Sequence, residues 1–327
     1  MTNLMAVQNG DRDEIKFFGH LNTFSFPEVG VTPAELEEAF RVSGLDRKWM
    51  PGPRNPRDAF RSAVDREVIK HLALGNGRFL NLITAQLSKS SDPVLTFSII
   101  RQVVDEDNKK LEPHTEISRI VHASETVLVM PVLPLDQISD AEQRAFQDIQ
   151  DRYEWEKTHY TNVHIRDALM RVFRDCNPIG LRAGGGVYFT LVKYESIVNT
   201  VKALVKELEP LYGTDTPARF WTIPVIDAAE QRLMVQENME EQVQGTMKAL
   251  IKEMADELGN AAKDVTPQKA TGFFDRIKEI GDMVTEYEDF LSIKLVTLQK
   301  LQTVAEQQAM AVLTKANAAR RAAAAVN

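Results

Sequence analysis

Leu181-Arg182-Ala183-Gly184-Gly185-Gly186-Val187-Tyr188-Phe189-Thr190-Leu191 decides how the middle of this 327-residue chain is read. Glycine accepts positive φ without steric cost, so three in a row between β-prone runs predict a tight antiparallel hairpin over 179–192. The same run could instead turn backbone N–H groups toward an anion. A phosphate loop, however, needs a Lys-Ser/Thr pair and then a helix whose N-terminus faces the phosphate. Here the strand-like Val187-Tyr188-Phe189 follows, and no Gly-Lys-Ser/Thr occurs in the chain. A dinucleotide fingerprint fails on the same ground. The favoured reading is a structural turn. Arg182 and Tyr188 at its tip are the candidate ligand or partner contacts.

Working outward, amphipathic patterns predict helices over 162–175 and 196–209, with a strand over 219–226. Ser139-Asp140-Ala141-Glu142 is a capping box that opens a helix running through Trp155. Together these make an α+β lobe over 136–226. An earlier lobe spans 15–135, behind a polar tail at 1–14. It starts with a Phe-rich strand, Ile15 to Phe26. Thr32-Pro33-Ala34-Glu35 then combines an N-cap, a first-turn proline and a returning Glu, so a helix runs to about Val42 and stops at Gly44. Pro51, Pro53 and Pro56 keep their segment out of helix and sheet. A second helix is predicted from Arg57 to about Leu74, then strands at Phe79–Leu87, Val94–Val104 and Thr115–His122. Val127 to Leu135 is apolar but punctuated by Pro131 and Pro134. No residue-level repeat joins the two lobes.

From Asp227 the pattern changes. Val243, Met247, Leu250, Met254 and Leu258 form one helical stripe, and Gly259-Asn260 stops it. Thr266-Pro267 opens a second arm, striped by Ile277, Ile280, Val284, Tyr287, Leu291, Leu295, Leu298 and Leu301. The expectation is a long, coiled-coil-like helical hairpin over 227–327. At about 1.5 Å per residue the first arm measures roughly 45 Å and the second, near 267–322, roughly 85 Å. The overhang leaves Leu298, Leu301, Val304 and Val312 in need of a cover, from the chain's own lobes or from another copy. The first three are therefore candidate partner-binding residues. Met234, Met239, Met247 and Met254 suit an irregular seam or an adaptable surface.

Composition narrows the function. With 43% hydrophobic and 26% charged residues the chain reads as a soluble globular protein. A net charge of −8 argues against a broadly basic, nucleic-acid-coating surface, while leaving room for local basic patches. One cysteine, Cys176, excludes an internal disulfide and a multi-cysteine zinc site. No stretch resembles a signal peptide or a membrane span, so a cytoplasmic location is expected.

Two arginine groups carry the nucleic-acid alternative. Arg47, Lys48, Trp49, Arg54 and Arg57 interleave charge with an aromatic, as phosphate contact plus base stacking requires. The competing reading is a proline-stiffened connector whose arginines pair with neighbouring acids. Arg166, Arg171 and Arg174, with Arg182 close behind, form the second group. A solvated helix face is the competing reading there. Histidines at 20, 71, 114, 122, 159 and 164 are too scattered for a metal site. Cys176 follows a helix C-terminus, where the dipole disfavours thiolate. No nucleophile elbow occurs, and the acidic pairs sit in charged helical surfaces.

Val163-His164-Ile165-Arg166-Asp167-Ala168-Leu169, followed by Arg182-Ala183-Gly184-Gly185-Gly186-Val187-Tyr188-Phe189, resembles a family of bacterial, plasmid- and phage-borne proteins with a Ser/Gly-Gly-Gly-Val-Tyr-Phe hairpin. Pro56-Arg57-Asp58-Ala59-Phe60 and the stretch Asp227 to Val235 are similar too, so the resemblance reaches about residue 240. Ala183 stands where the family has Ser. The resemblance implies a mobile-element setting and supplies no activity, cofactor or catalytic residue. The expected protein is α+β, without cofactor or metal. It is a non-enzymatic accessory protein that binds a protein partner or self-assembles. A nucleic-acid-binding accessory protein is the first alternative, and an enzyme such as a nuclease the second.

Overall fold

The computed structural model describes residues 16–182, 185–212, 217–259 and 265–326. The polar tail 1–14, Ala183 and Gly184 of the glycine run, and Asn260 of the expected helix stop lie outside the described residues. The chain begins with strands β1 (Phe17–Ser25) and β2 (Gly30–Val31) and helices α1 (Pro33–Ser43) and α2 (Pro56–Arg66). Five strands follow: β3 (Leu72–Gly75), β4 (Arg78–Gln86), β5 (Leu95–Val104), β6 (Thr115–Ala123) and β7 (Thr126–Pro131). Then come α3 (Asp140–Thr158), β8 (Tyr160–Thr161), α4 (Asn162–Arg174), β9 (Ile179–Gly180), β10 (Val187–Leu191) and α5 (Glu195–Leu208). The last strand is β11 (Arg219–Ile226), before α6 (Ala229–Gly259), α7 (Pro267–Leu291) and α8 (Val296–Val326). The fold is α+β with antiparallel sheets.

Local chemistry sets the ends of these elements. Thr32 accepts from Glu35 N at 3.3 Å while Glu35 Oε2 accepts from Thr32 N at 2.8 Å, and Gly44 at φ +77 closes α1. The Ser139–Glu142 pair repeats the box at α3. The strands on either side of the glycine run pair antiparallel: Tyr188 lies opposite Gly180 and Phe189 opposite Ile179. Gly185 and Gly186 hold φ of +73 and +90.

The contacts divide the chain into two units whose segments interleave along the sequence. A central unit gathers Phe26–Arg171 and Ala203–Ala218; a terminal unit gathers the chain up to Ser25, Val172–Lys202 and everything from Arg219.

In the central unit β3 to β7 form one meander in chain order. Leu80, Leu82, Leu95, Phe97, Ile99 and Ile120 line one face and pack on Phe60 and Val64 of α2 and Phe146, Ile149 and Tyr153 of α3. Two features depart from the sequence expectation. The helix expected to reach Leu74 ends at Arg66, because Leu72–Gly75 pairs with β4 across an Asn76-Gly77 turn with both residues at positive φ. The apolar run from Val127 also becomes an edge strand. It is turned by Ser124-Glu125 at positive φ and tolerates Pro131 because the proline stands at the strand end.

In the terminal unit the sheet order is β11-β1-β10-β9. Phe18, Phe189, Leu191 and Val225 share a core with the stripes of α6, α7 and α8. The expected second arm is corrected from one helix to two. Ser292 takes a left-handed conformation (φ 57, ψ 42) at the end of α7, and α8 packs against both α6 and α7. The hairpin is thus a three-helix arrangement. Leu298, Ala305, Ala309 and Val312 of α8 are buried in the same core, so the overhang's cover comes from α6 and α7.

Candidate functional site

The first arginine group meets its partners inside the central unit. Arg54, from the proline-rich connector, has a side chain only 7% exposed and pairs with Glu156 of α3, 1% exposed. Arg54 Nε donates to the Glu156 carbonyl at 2.8 Å and Nη2 to its Oε2 at 3.1 Å. Glu156 Oε1 accepts from Ser62 Oγ at 2.7 Å and from Arg152 Nε at 3.0 Å. Arg152 reaches on to Glu28 at 2.8 Å, and Arg66 also pairs with Glu28. Burial pulls the Arg54 guanidinium below its ordinary range, with the Glu156 charge opposing. The remaining Arg54 nitrogen, Nη1, meets His164 Nε2 at the start of α4. Glu156, Arg152, Glu28 and Ser62 were not singled out by sequence. The one local signal was the i, i+4 spacing of Arg152 and Glu156 on α3.

Other residues of this group also serve the fold. Arg57 donates to the carbonyls of Pro93 (3.2 Å), Ser90 (3.0 Å) and Asp92 (2.5 Å), tying α2 to the loop before β5. Arg47 pairs with Glu37 at 2.9 Å, and Lys48 Nζ stands 4.5 Å from the Trp49 ring centroid. In the second group Arg171 donates to Met50 O at 3.2 Å. Arg166, Arg174 and Arg182 are exposed and carry no ion pair among the described residues. The structure therefore gathers Arg54 with Arg66 and Arg152. Arg174 and Arg182 belong to the terminal unit and the other seven candidates to the central one.

In the terminal unit Tyr188 is half-buried, stacked on Phe24 at 5.9 Å and on Phe173 at 6.3 Å. Its ring anchors the hairpin. Cys176 is buried, and desolvation, with Asp175 and Glu286 nearby, pushes its thiol up to about 12, so it stays protonated at neutral pH. Glu286 Oε1 accepts from Tyr194 OH at 2.8 Å and Lys193 Nζ at 2.5 Å, beside a cleft of about 500 Å³ also lined by Asp282 and Asp289. Of the helical candidates, Leu298 is 2% exposed, Leu301 is half-buried and Val304 is 43% exposed. Leu298 and Leu301 thus pack in the unit's own core. Among the described residues no three His, Cys, Asp or Glu side chains converge to hold a metal ion.

The clearest open surface is the second face of the central unit's sheet. Alternation turns Asn81 and Ile83 of β4 away from the helices, beside Gln102 and Ile100 of β5. Val121 of β6 pairs with Leu128 of β7, and Arg119 with Met130. Leu128 is 52% and Met130 54% exposed, two large apolar side chains in succession on one face of an edge strand. At the opposite edge a polar ladder runs across the strands. His71 N donates to Asn81 Oδ1 (2.7 Å), Asn81 Nδ2 to Gln102 Oε1 (3.3 Å), and Gln102 Nε2 meets His114 Nε2 (3.0 Å). His71, at φ +55, stacks on Phe79 at 3.9 Å beside a groove of about 660 Å³. This face offers contact area and hydrogen-bonding groups without a nucleophile–base pair. The sequence signal for it was the apolar run from Val127, whose alternation was obscured by Pro131 and Pro134.

No helix among the described residues is long and apolar enough to cross a membrane. No curated protein and no solved structure matches the chain. The family of unknown function (DUF6744) is matched over residues 17–320, and the chain belongs to that family.

Proposed function

We propose that this is a non-catalytic accessory protein that binds a protein partner through the open face of its five-stranded sheet, at β6 and β7. The observation that carries the reading is the exposure of Leu128 and Met130 side by side on that face. Apolar side chains grouped on a surface and bordered by polar residues mark association sites, whereas single scattered ones do not. The Arg119–Glu116 pair at 2.8 Å and the Asn81–Gln102 ladder supply the polar border. The resemblance to plasmid- and phage-borne proteins supports an accessory role in a mobile element. The nucleic-acid alternative loses much of its footing, since Arg54, Arg57 and Arg171 direct their donors at acceptors of the chain itself.

A photoreactive residue at position 128 or 130 of the full chain, in cells carrying the element, tests the reading. A discrete adduct that disappears when the unsubstituted neighbour becomes Asp is expected. An adduct of twice the chain's own mass identifies a second copy as the partner. Absence of any adduct, or its persistence with the Asp substitution, overturns the proposal.

A further inference from the structure

The register of the terminal sheet fixes which backbone groups of β11 reach β1 and which face outward. Leu181 N donates to Val187 O at 3.0 Å, so Val187 and, by alternation, Phe189 and Leu191 direct their backbone groups toward β9. Tyr188 and Thr190 turn theirs toward β1, where they meet Asn22 and His20. Gly19, Leu21 and Thr23 are left for β11, opposite Val225, Ile223 and Trp221. Phe220, Thr222 and Pro224 therefore point their backbone groups away from the sheet. Pro224 has no N–H to lose there, which is where an edge strand accepts proline. β11 ends the order β11-β1-β10-β9, and among the described residues no strand pairs with that side.

The side chains along this edge are apolar. Trp221 and Ile223 lie on the face of β11 that carries Val225. Val225 is buried in the helical core, but Trp221 is 45% and Ile223 56% exposed. Ile226 and its cross-strand partner Phe17 extend the exposed apolar surface at the strand end. Native edges are usually closed to other chains by charges, prolines, bulges or a cover. Here Pro224 removes one donor, and the Arg219 guanidinium is turned onto Trp221, 5.8 Å from its ring centroid. The middle of the edge stays open.

We infer that β11 is a self-association edge: two copies pair their β11 strands antiparallel about a twofold axis at Thr222, joining their sheets into one. The strand's own complementarity identifies the occupant. In this register the Thr222 N–H of each copy donates to Thr222 O of the other, and each Phe220 N–H donates to Pro224 O of the other. Both outward N–H groups of each chain are used, and the missing proline donor leaves one carbonyl per chain, Phe220 O, unpaired. Trp221 lies opposite Ile223 of the second copy, an aromatic and β-branched pair made twice. An axis at Trp221 would set Ile223 against Arg219, and an axis at Ile223 would set Thr222 against Pro224 and lose a donor. The contact is isologous, so it closes at two copies.

The area is of the right order. Phe17, Trp221, Ile223 and Ile226 leave roughly 100 Å² each in solvent, about half of what a large apolar side chain buries. Together they give roughly half of the about 800 Å² that one partner contributes to a stable interface. The paired backbone and the side chains flanking it supply the remainder.

The test uses the full chain, with light scattering for mass and hydrogen exchange for the edge. The wild type is expected at twice the chain mass at micromolar concentration. Exchange at the Phe220 and Thr222 amides, corrected for intrinsic rates, should slow by about tenfold or more as rising concentration fills the dimer. Ile223→Lys puts a charge on the edge and should weaken dimerisation by at least about tenfold. Leu128→Asp, on the sheet face proposed above for the partner, should leave the dimer intact, so the two readings fail separately. A wild type that stays monomeric, a dimer whose Phe220 and Thr222 amides exchange freely, or a dimer that survives Ile223→Lys overturns the inference. If the Lys variant does not fold, the wild-type mass and its concentration-dependent exchange decide.

Discussion

Oε1 of Glu288, in the last turn of α7, accepts the backbone N–H of Leu295 at 2.6 Å. The same carboxylate takes Lys294 Nζ at 3.0 Å and Gln299 Nε2 at 3.2 Å, bridging the break between α7 and α8. With Ser292 in the left-handed region, this contact turns one expected long arm into two packed helices.

Removing that bridge leaves the Leu295 N–H buried without its acceptor. Glu288→Ala is expected to lower stability by about 2–3 kcal/mol, read from urea midpoints at pH 7. Burial works to raise this carboxyl, but the Leu295 N–H and Lys294 prevail and hold it below its ordinary 4.5. A depressed carboxyl contributes stability above 4.5 and loses it as pH falls through the folded value. The wild type should therefore lose more stability than the Ala variant on acidification, and parallel pH curves would remove Glu288 from this role.

Among the described residues Glu156 is the sole carboxylate that Arg54 pairs with, and its Oε1 also receives Ser62 and Arg152. Glu156→Ala leaves a buried guanidinium unpaired and should cost about 3–5 kcal/mol in the same denaturation measurement. A loss under about 1 kcal/mol is what a solvent-screened surface pair gives, and it would contradict the buried network.

Two glycines of the terminal sheet should respond differently to alanine. A Cβ on Gly19 would lie 2.3 Å from the Phe189 ring and 2.5 Å from Thr190 O, so Gly19→Ala has to part β1 from β10. The cost should reach about 3 kcal/mol or more. Gly186 has open space around it and only its φ of +90 to satisfy, so Gly186→Ala should cost about 1–2 kcal/mol. Thermal unfolding of the two variants checks the ranking, and a reversed order would contradict the described packing.

The helical candidates separate in the same way. Leu298, 2% exposed, should cost about 2–5 kcal/mol when changed to Ala. Val304, 43% exposed, should be within about 0.5 kcal/mol of wild type. Equal effects in urea unfolding would show that α8 is not packed as described.

Much of the fold was legible because its signals are local. Capping boxes at Thr32–Glu35 and Ser139–Glu142, the glycine run before Val187, and the stripes of α6 and α7 each act within a few residues of themselves, so sequence alone placed the elements they start, turn or bury. Asn76-Gly77 was an equally local signal, masked by the apparent continuation of α2. What required the tertiary structure were pairings across long separations. Arg54 meets Glu156 102 residues away, and Gln242 of α6 accepts from Gly180 N 62 residues away. Whether an arginine faces solvent or a buried carboxylate, and whether Leu298 seeks a partner or its own core, is fixed by where distant segments pack. Periodicity shows that a face is apolar; only packing decides what covers it.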